Sequence, residues 1–250
     1  MRIVITGAGG NIGRGIAPRL LAAGHDLVLS DLHQAENLAP GVSFVAADVR
    51  SGEGLGDAVA GADVLVHLPA WHGIHVPDHS EAEFWEVNVD GTFRALQAAA
   101  AAGVRKVVWL SSQAWHNPWD QYGFTKVIGE QLLEYYRRQH GISYVAVRPA
   151  NLTPWTDWVG DYGRGLLYGR VDREDVLDSI LLSVDYVATH EGGLVVDALH
   201  PDAVSEADLR DWESDPVGTA ERLFPGARAA VERFDLDISA LPHRPTTLGW

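Results

Sequence analysis

Thr6-Gly7-Ala8-Gly9-Gly10-Asn11-Ile12-Gly13 joins an apolar run, Arg2 to Thr6, to a stretch with helical spacing, and the reading of this junction decides the fold. Gly7 permits a tight turn, Gly10 lets backbone approach a pyrophosphate, and Gly13 lets the following helix pack closely on the strand. The free N–H groups at the helix start, around Asn11 and Ile12, make an anion site. Alone, such a turn needs no ligand. Directly after the first strand of an alternating chain, it reads as a dinucleotide-binding turn.

Working outward, short apolar runs alternate with longer helical patterns, as expected for strands buried on both faces of a parallel sheet. Strands are expected at Arg2 to Thr6, Asp26 to Ser30, Val42 to Ala46, Asp63 to Leu68, Lys106 to Ser111, Ile142 to Arg148 and Gly193 to Asp197. Helices are expected at Asn11 to Ala23, Glu81 to Ala102, Gln121 to His140 and Arg173 to Val184. Right-handed crossovers wind these units into an α/β, doubly wound parallel sheet of the Rossmann type with a small C-terminal helical cap. The expectation is a single dinucleotide-binding domain over 1–250, to which 151–170 and 198–250 contribute a small substrate cap.

The second strand ends Leu27-Val28-Leu29-Ser30-Asp31, which puts a carboxylate where the adenosine ribose of a dinucleotide would lie. Asp31 would accept hydrogen bonds from ribose hydroxyls and repel a 2′-phosphate, which favours NAD over NADP. A solvated strand-end carboxylate is the alternative, with Arg14 and Arg19 available to a phosphate. Asp48-Val49, just past the third strand, suits the adenine ring, although an Asp there is also a common turn former.

Tyr122-Gly123-Phe124-Thr125-Lys126 opens a helix, and residues four apart share a helix face. An ammonium beside a phenol favours the phenolate, so this pair can move a substrate proton near neutral pH. By chance alone the same pair is an exposed Tyr and Lys. Ser111-Ser112 decides between them, because it follows the Lys106 to Leu110 run at the sheet edge where such folds bind ligands, and a hydroxyl there can meet Tyr122.

With these residues in place, the chain resembles the extended short-chain dehydrogenase/reductase superfamily, in its branch of NAD-dependent epimerases and dehydratases, over nearly its whole length. Val64-Leu65-Val66-His67-Leu68, Asn88-Val89-Asp90-Gly91-Thr92 and Leu248-Gly249-Trp250 also match that pattern. The resemblance implies that Tyr122 is the general acid/base, that Lys126 holds the nicotinamide ribose and tunes Tyr122, and that Ser112 binds the reacting oxygen. It puts Asn88 beside the cofactor, Leu68, Pro69 and Ala70 along it, and Ala150-Asn151 after the strand that backs the nicotinamide. Two departures stand out: Ser112 and Tyr122 are only ten positions apart, and Pro69 replaces a small residue. Among subfamilies the chain is most similar to uronate dehydrogenases.

Trp71, Trp115, Trp119, Trp155 and Trp158 fall in loops after the fourth, fifth and sixth strands, where flat faces can stack on sugar C–H surfaces or pack the loops themselves. Trp71, Gln113, Trp115, Asn151 and Arg164 are the candidate substrate contacts, Arg164 for a carboxylate. His72, His75 and His79 with Asp78 have the composition of a metal cluster, but the Ser-Tyr-Lys chemistry needs no metal and none is expected. His67, inside a strand, reads as a satisfied core histidine.

Composition bounds the rest. The 250 residues are 46% hydrophobic and 21% charged, with a net charge of −15 and a pI near 5.0, so neither nucleic acid nor an anionic membrane is an expected partner. There is no cysteine and no apolar run of spanning length, and with the first strand starting at Arg2 no signal peptide is expected. The expectation is a cytoplasmic homodimer acting on a small molecule, an NAD-dependent oxidoreductase of alcohols or carbonyls, with sugars or sugar acids as the candidate substrates. The alternatives are a nucleotide-sugar epimerase or dehydratase that retains its NAD, and a non-catalytic dinucleotide sensor.

Overall fold

The structure, a computed structural model, describes residues 1–34, 39–116, 119–150, 152, 171–199, 205–223 and 226–239. Seven strands form one sheet: β1 (Arg2–Thr6), β2 (Asp26–Asp31), β3 (Val42–Ala46), β4 (Val64–His67), β5 (Lys106–Leu110), β6 (Ser143–Pro149) and β7 (Gly193–Ala198), in the spatial order β3-β2-β1-β4-β5-β6-β7. Ile3, Val4, Ile5, Val64, Leu65, Val66, Val107 and Val108 are all at most 1% exposed, which is why these strands read as continuous apolar runs. β1 to β6 pair in parallel, with Ile3 opposite both Leu27 and Val64. Strand order reverses between β1 and β4, and a crevice opens beyond the carboxyl ends of strands at such a point. The sheet is thus the expected doubly wound architecture.

Helices cover it. α1 (Asn11–Ala22) starts at Gly10 and buries Ile12, Ile16 and Leu20. α2 (Leu55–Val59) is too short to show a helical period in sequence, and it buries Leu55, Ala58 and Val59. The expected single helix from Glu81 to Ala102 is instead three pieces: α3 (Glu81–Phe84), a π-helical turn (Trp85–Asp90) and α4 (Gly91–Ala102). α3 carries a capping box between Ser80 and Glu83, and α4 ends at Gly103, with φ of 82°. α5 (Gln121–His140) is capped by Asp120, whose Oδ1 accepts the Gly123 N–H at 2.7 Å. α6 (Arg173–Thr189) precedes β7.

The chain divides into two compact units. The first comprises Met1–Arg148 and Leu177–Asp197, and the second Pro149–Val176 and Ala198–Trp250. In the second unit, α7 (Glu206–Ser214), α8 (Pro216–Leu223) and α9 (Ala227–Phe234) follow one another. Its core is Trp212, Ala220 and Ile238, and Trp212 Nε1 donates to the Ile238 carbonyl at 2.9 Å. No helix among the described residues is long and apolar enough to cross a membrane. Asn151, Trp155, Trp158, Arg164 and Leu248 to Trp250 lie outside the described residues.

Candidate active site

The glycine turn has the tight geometry its spacing implies. Gly7 has φ of 72°, and a Cβ there would sit 2.9 Å from the Pro69 nitrogen, so Pro69 at the end of β4 closes directly over the turn. A Cβ on Gly13 would lie 2.4 Å from the Gly7 carbonyl oxygen and 2.6 Å from Ala8 Cα. Only hydrogen fits there, and α1 is thereby pressed against β1. Asp31, at the end of β2, is drawn into the same turn: the Gly9 N–H donates to Oδ2 at 2.8 Å and the Leu32 N–H to Oδ1 at 2.7 Å. Its carboxylate is held beside the turn with lone pairs left for hydroxyl donors. Arg19 is paired with Asp178.

Asp48 is engaged by Arg50, through the backbone N–H at 2.8 Å and Nη2 at 2.9 Å, and that contact holds its carboxyl below the usual range. Val49 packs where α4 begins, since a Cβ on Gly91 would meet its Cγ2 at 3.0 Å. The Leu68 N–H donates to the Thr6 carbonyl at 3.2 Å. Ala150, in the second unit, donates its N–H to the Ala198 carbonyl at 3.1 Å.

A second cluster lies at the end of β5. The Ser112 side chain lies beside the Tyr122 hydroxyl and favours its ionised form. Lys126 is buried, donates from Nζ to the Leu110 carbonyl at 2.7 Å, and lies 4.8 Å from the Trp109 ring centroid and 5.7 Å from that of Tyr122. Trp109 reaches α5 because residue 129 is glycine; a Cβ there would come within 2.3 Å of the indole. Burial pushes the Lys126 ammonium down to about 7, against the opposing charge of Glu130. Burial also pushes the Tyr122 phenol up to about 12, with Ser112 acting the other way. The sequence led to the expectation that Lys126 would lower Tyr122; here burial is the largest influence, and the phenol is protonated at neutral pH.

Asn88, from the π-helical turn, ties the cluster together. Its Oδ1 accepts the Trp71 N–H at 2.8 Å, and its Nδ2 donates to the Trp71 carbonyl and to Thr125 Oγ1, each at 2.8 Å. The amide therefore pins the loop after β4 to α5. π-helical turns often occur at functional sites, and this one carries the buried amide. His67 is a satisfied core histidine: Nδ1 bonds Thr6 Oγ1 at 2.7 Å, Nε2 faces Thr92 Oγ1 at 3.5 Å, and burial holds its pKa down to about 3.

Among the candidate substrate contacts, Trp71 stacks on His79 with centroids 3.9 Å apart, and His72 lies 6.0 Å from the Tyr122 ring. Trp115 lies under the Arg148 guanidinium at 4.2 Å. Gln113 Nε2 donates to Asp197 Oδ1 at 2.7 Å. Trp119 is 92% exposed. Among the described residues no three His, Cys, Asp or Glu side chains converge as a metal site. Residue-by-residue reading of the sequence missed Thr125, Glu130 and Arg148. Glu130 carried a signal, being one helical turn beyond Lys126.

A reversed parallel sheet with a glycine turn at the first strand and an acid at the second defines a dinucleotide-binding α/β protein. The chain belongs to the NAD dependent epimerase/dehydratase family, whose model matches residues 3–154. It is 31% identical over 174 residues to an L-arabinose 1-dehydrogenase (NAD(P)(+)) of Haloferax volcanii, covering 59% of this chain and 65% of that one. It is 34% identical over 205 residues to a UDP-glucose 4-epimerase of Mycolicibacterium smegmatis, covering 69% and 65%. A mutant uronate dehydrogenase of Agrobacterium tumefaciens complexed with NAD shares the fold, with a TM-score of 0.64 at 24% identity over 79% of this chain and 76% of that one. Matches to these and other curated relatives span 12% to 66% of the relatives' length.

Proposed function

We propose that the protein is an NAD-linked dehydrogenase of a small alcohol or carbonyl substrate, a sugar or sugar acid, with Tyr122 as general acid/base. The observation that carries this reading is the convergence of Ser112, Tyr122 and buried Lys126 at the end of β5, with Lys126 Nζ 5.7 Å from the Tyr122 ring centroid. The glycine turn and Asp31 fit a dinucleotide, because Gly13 leaves no space for a side chain against the turn and Asp31 presents a fixed acceptor beside it. When bound there, NAD supplies the hydride acceptor. Ser112 holds the substrate oxygen against the Tyr122 hydroxyl. In the reducing direction Tyr122, neutral at pH 7, gives its proton to that oxygen. In the oxidising direction the phenol first gives its proton to solvent, the nearby positive charge of Lys126 stabilises the phenolate, and the phenolate then takes the alcohol proton.

Support for a sugar-type substrate comes from the L-arabinose 1-dehydrogenase likeness. The test is a panel of aldoses and uronic acids followed by NADH absorbance, on wild type and Tyr122→Phe. Turnover should fall by about 10²- to 10⁴-fold in the variant while NAD binding persists. A variant with near-normal kcat removes Tyr122 from the mechanism.

The likeness to a UDP-glucose 4-epimerase favours a second reading, in which the cofactor stays bound between turnovers. Denaturing the purified protein distinguishes the two. A dehydrogenase should release little nucleotide; near-full NAD occupancy, with interconversion of a nucleotide sugar and no net NADH, favours the epimerase.

A further inference from the structure

Behind the Ser112–Tyr122 pair lies a buried ionic assembly. Arg148, on β6, grips Glu130 of α5 with two prongs, Nε to Oε1 at 2.8 Å and Nη2 to Oε2 at 2.6 Å, and the two side chains are only 16% and 12% exposed. The same Oε1 accepts the Ser111 hydroxyl at 2.5 Å. One turn earlier on α5, Lys126 Nζ donates to the Leu110 carbonyl at 2.7 Å. Two successive residues at the end of β5 are therefore fastened to two successive turns of α5. Ser111 is fixed on its other side by its N–H to the Val147 carbonyl at 2.7 Å, and Ser112 Oγ accepts the Ala114 N–H at 3.1 Å. Trp115 covers the guanidinium of Arg148.

We propose that Glu130, locked by Arg148, is a positioning residue: it fixes Ser111 so that Ser112 meets Tyr122, and it sets its carboxylate one helical turn from Lys126. This rests on the dehydrogenase reading for its purpose but not for its test. A buried ion pair of this kind is an expensive way to gain stability, since apolar replacements of equal volume often serve as well, so its orientation and charge are what it contributes. The groups that face Lys126 are Glu130 and Tyr122 on its own helix, His67 on β4, and His72 in the loop after β4. Both histidines are held towards the neutral form by burial, and among these titratable groups Glu130 is the one that favours the Lys126 ammonium.

The chain contains only two lysines, Lys106 and Lys126. Full-length protein labelled with ¹³C at lysine Cε therefore gives two signals, and Lys106, paired with Glu191, is an internal reference. Glu130→Gln should lower the Lys126 titration midpoint by about one pH unit or more, and leave Lys106 unchanged. An unchanged Lys126 midpoint in a folded variant overturns the assignment. A purely structural role would not move one lysine alone.

If Glu130→Gln does not fold, Arg148→Lys carries the test, because it keeps both charges and loses one prong. Amide exchange at Ser111 and Ala114 should then accelerate about tenfold or more, and rates within about twofold of wild type overturn the positioning role. Neither measurement needs turnover. Failure of the dehydrogenase reading shows in Tyr122→Phe kinetics, and failure of the positioning role shows here.

Discussion

Asp31 and Lys126 show how single side chains are set by what surrounds them. Asp31 is held by two backbone N–H groups at the glycine turn, and a carboxylate fixed there repels a 2′-phosphate. NAD should bind at least about tenfold more tightly than NADP, a difference of ~1.4 kcal/mol. Calorimetric titration showing equal or reversed affinities would remove that role. Lys126 carries a stability signature. Its pKa falls from 10.5 to about 7 on folding, so between these values the unfolded chain binds more protons than the folded one. Stability therefore rises with pH across that window, and the penalty for burying the ammonium is fully present below pH 7. Urea unfolding at pH 6.5 and 9.5 should show wild type gaining on Lys126→Met by on the order of a few kcal/mol as pH rises. A gap that does not change with pH contradicts the buried ammonium.

At the scale of elements, the decisive contacts are those in which one element needs another to lack a side chain. α1 meets β1 through Gly13, and α5 meets β5 through Gly129, where the Trp109 indole occupies the space of a Cβ. Gly13→Ala should destabilise the fold by about 2 kcal/mol or more and abolish dinucleotide binding, because the clashing atoms are backbone and cannot rotate away. Gly56→Ala, within α2, is the control: nothing lies within 4 Å of its Cβ position. That change should stabilise by about 0.5 to 1 kcal/mol through helix propensity alone. Thermal unfolding of both variants, with NAD titration of any folded Gly13→Ala protein, settles the contrast. The π-helical turn belongs to this scale as well. It carries Asn88, whose amide spans the loop after β4 and α5, while the helix-like spacing there reads as a single helix in sequence.

For the whole molecule, the homodimer expected from the sequence is a proposal that turns on what α4 and α5 leave uncovered. Phe93 on α4, Phe124 and Tyr135 on α5, and Trp85 in the π-helical turn are exposed, with the Trp85 and Phe124 rings 6.2 Å apart. Large aromatic rings left in water favour a partner surface, and a two-fold pairing of these helices is the proposed homodimer. Light scattering after size exclusion should give twice the 27.1 kDa chain mass, and Phe124→Asp should shift it towards the single-chain value. A monomeric wild type at micromolar concentration rules the pairing out.

What the sequence determined by itself was local or periodic. Strand and helix order followed from alternating apolar runs, the dinucleotide turn from glycine spacing, and Ser112, Tyr122 and Lys126 from residue type at the right elements. These are legible because spacing along the chain encodes them. Tertiary structure alone decided the protonation state of Tyr122, since desolvation depends on everything packed around the phenol. It also decided that Pro69 closes over Gly7, that Asn88 clasps Trp71 and Thr125, and that Arg148 on β6 locks Glu130 on α5. Each of these joins residues far apart in the chain, and no local pattern records such a distance.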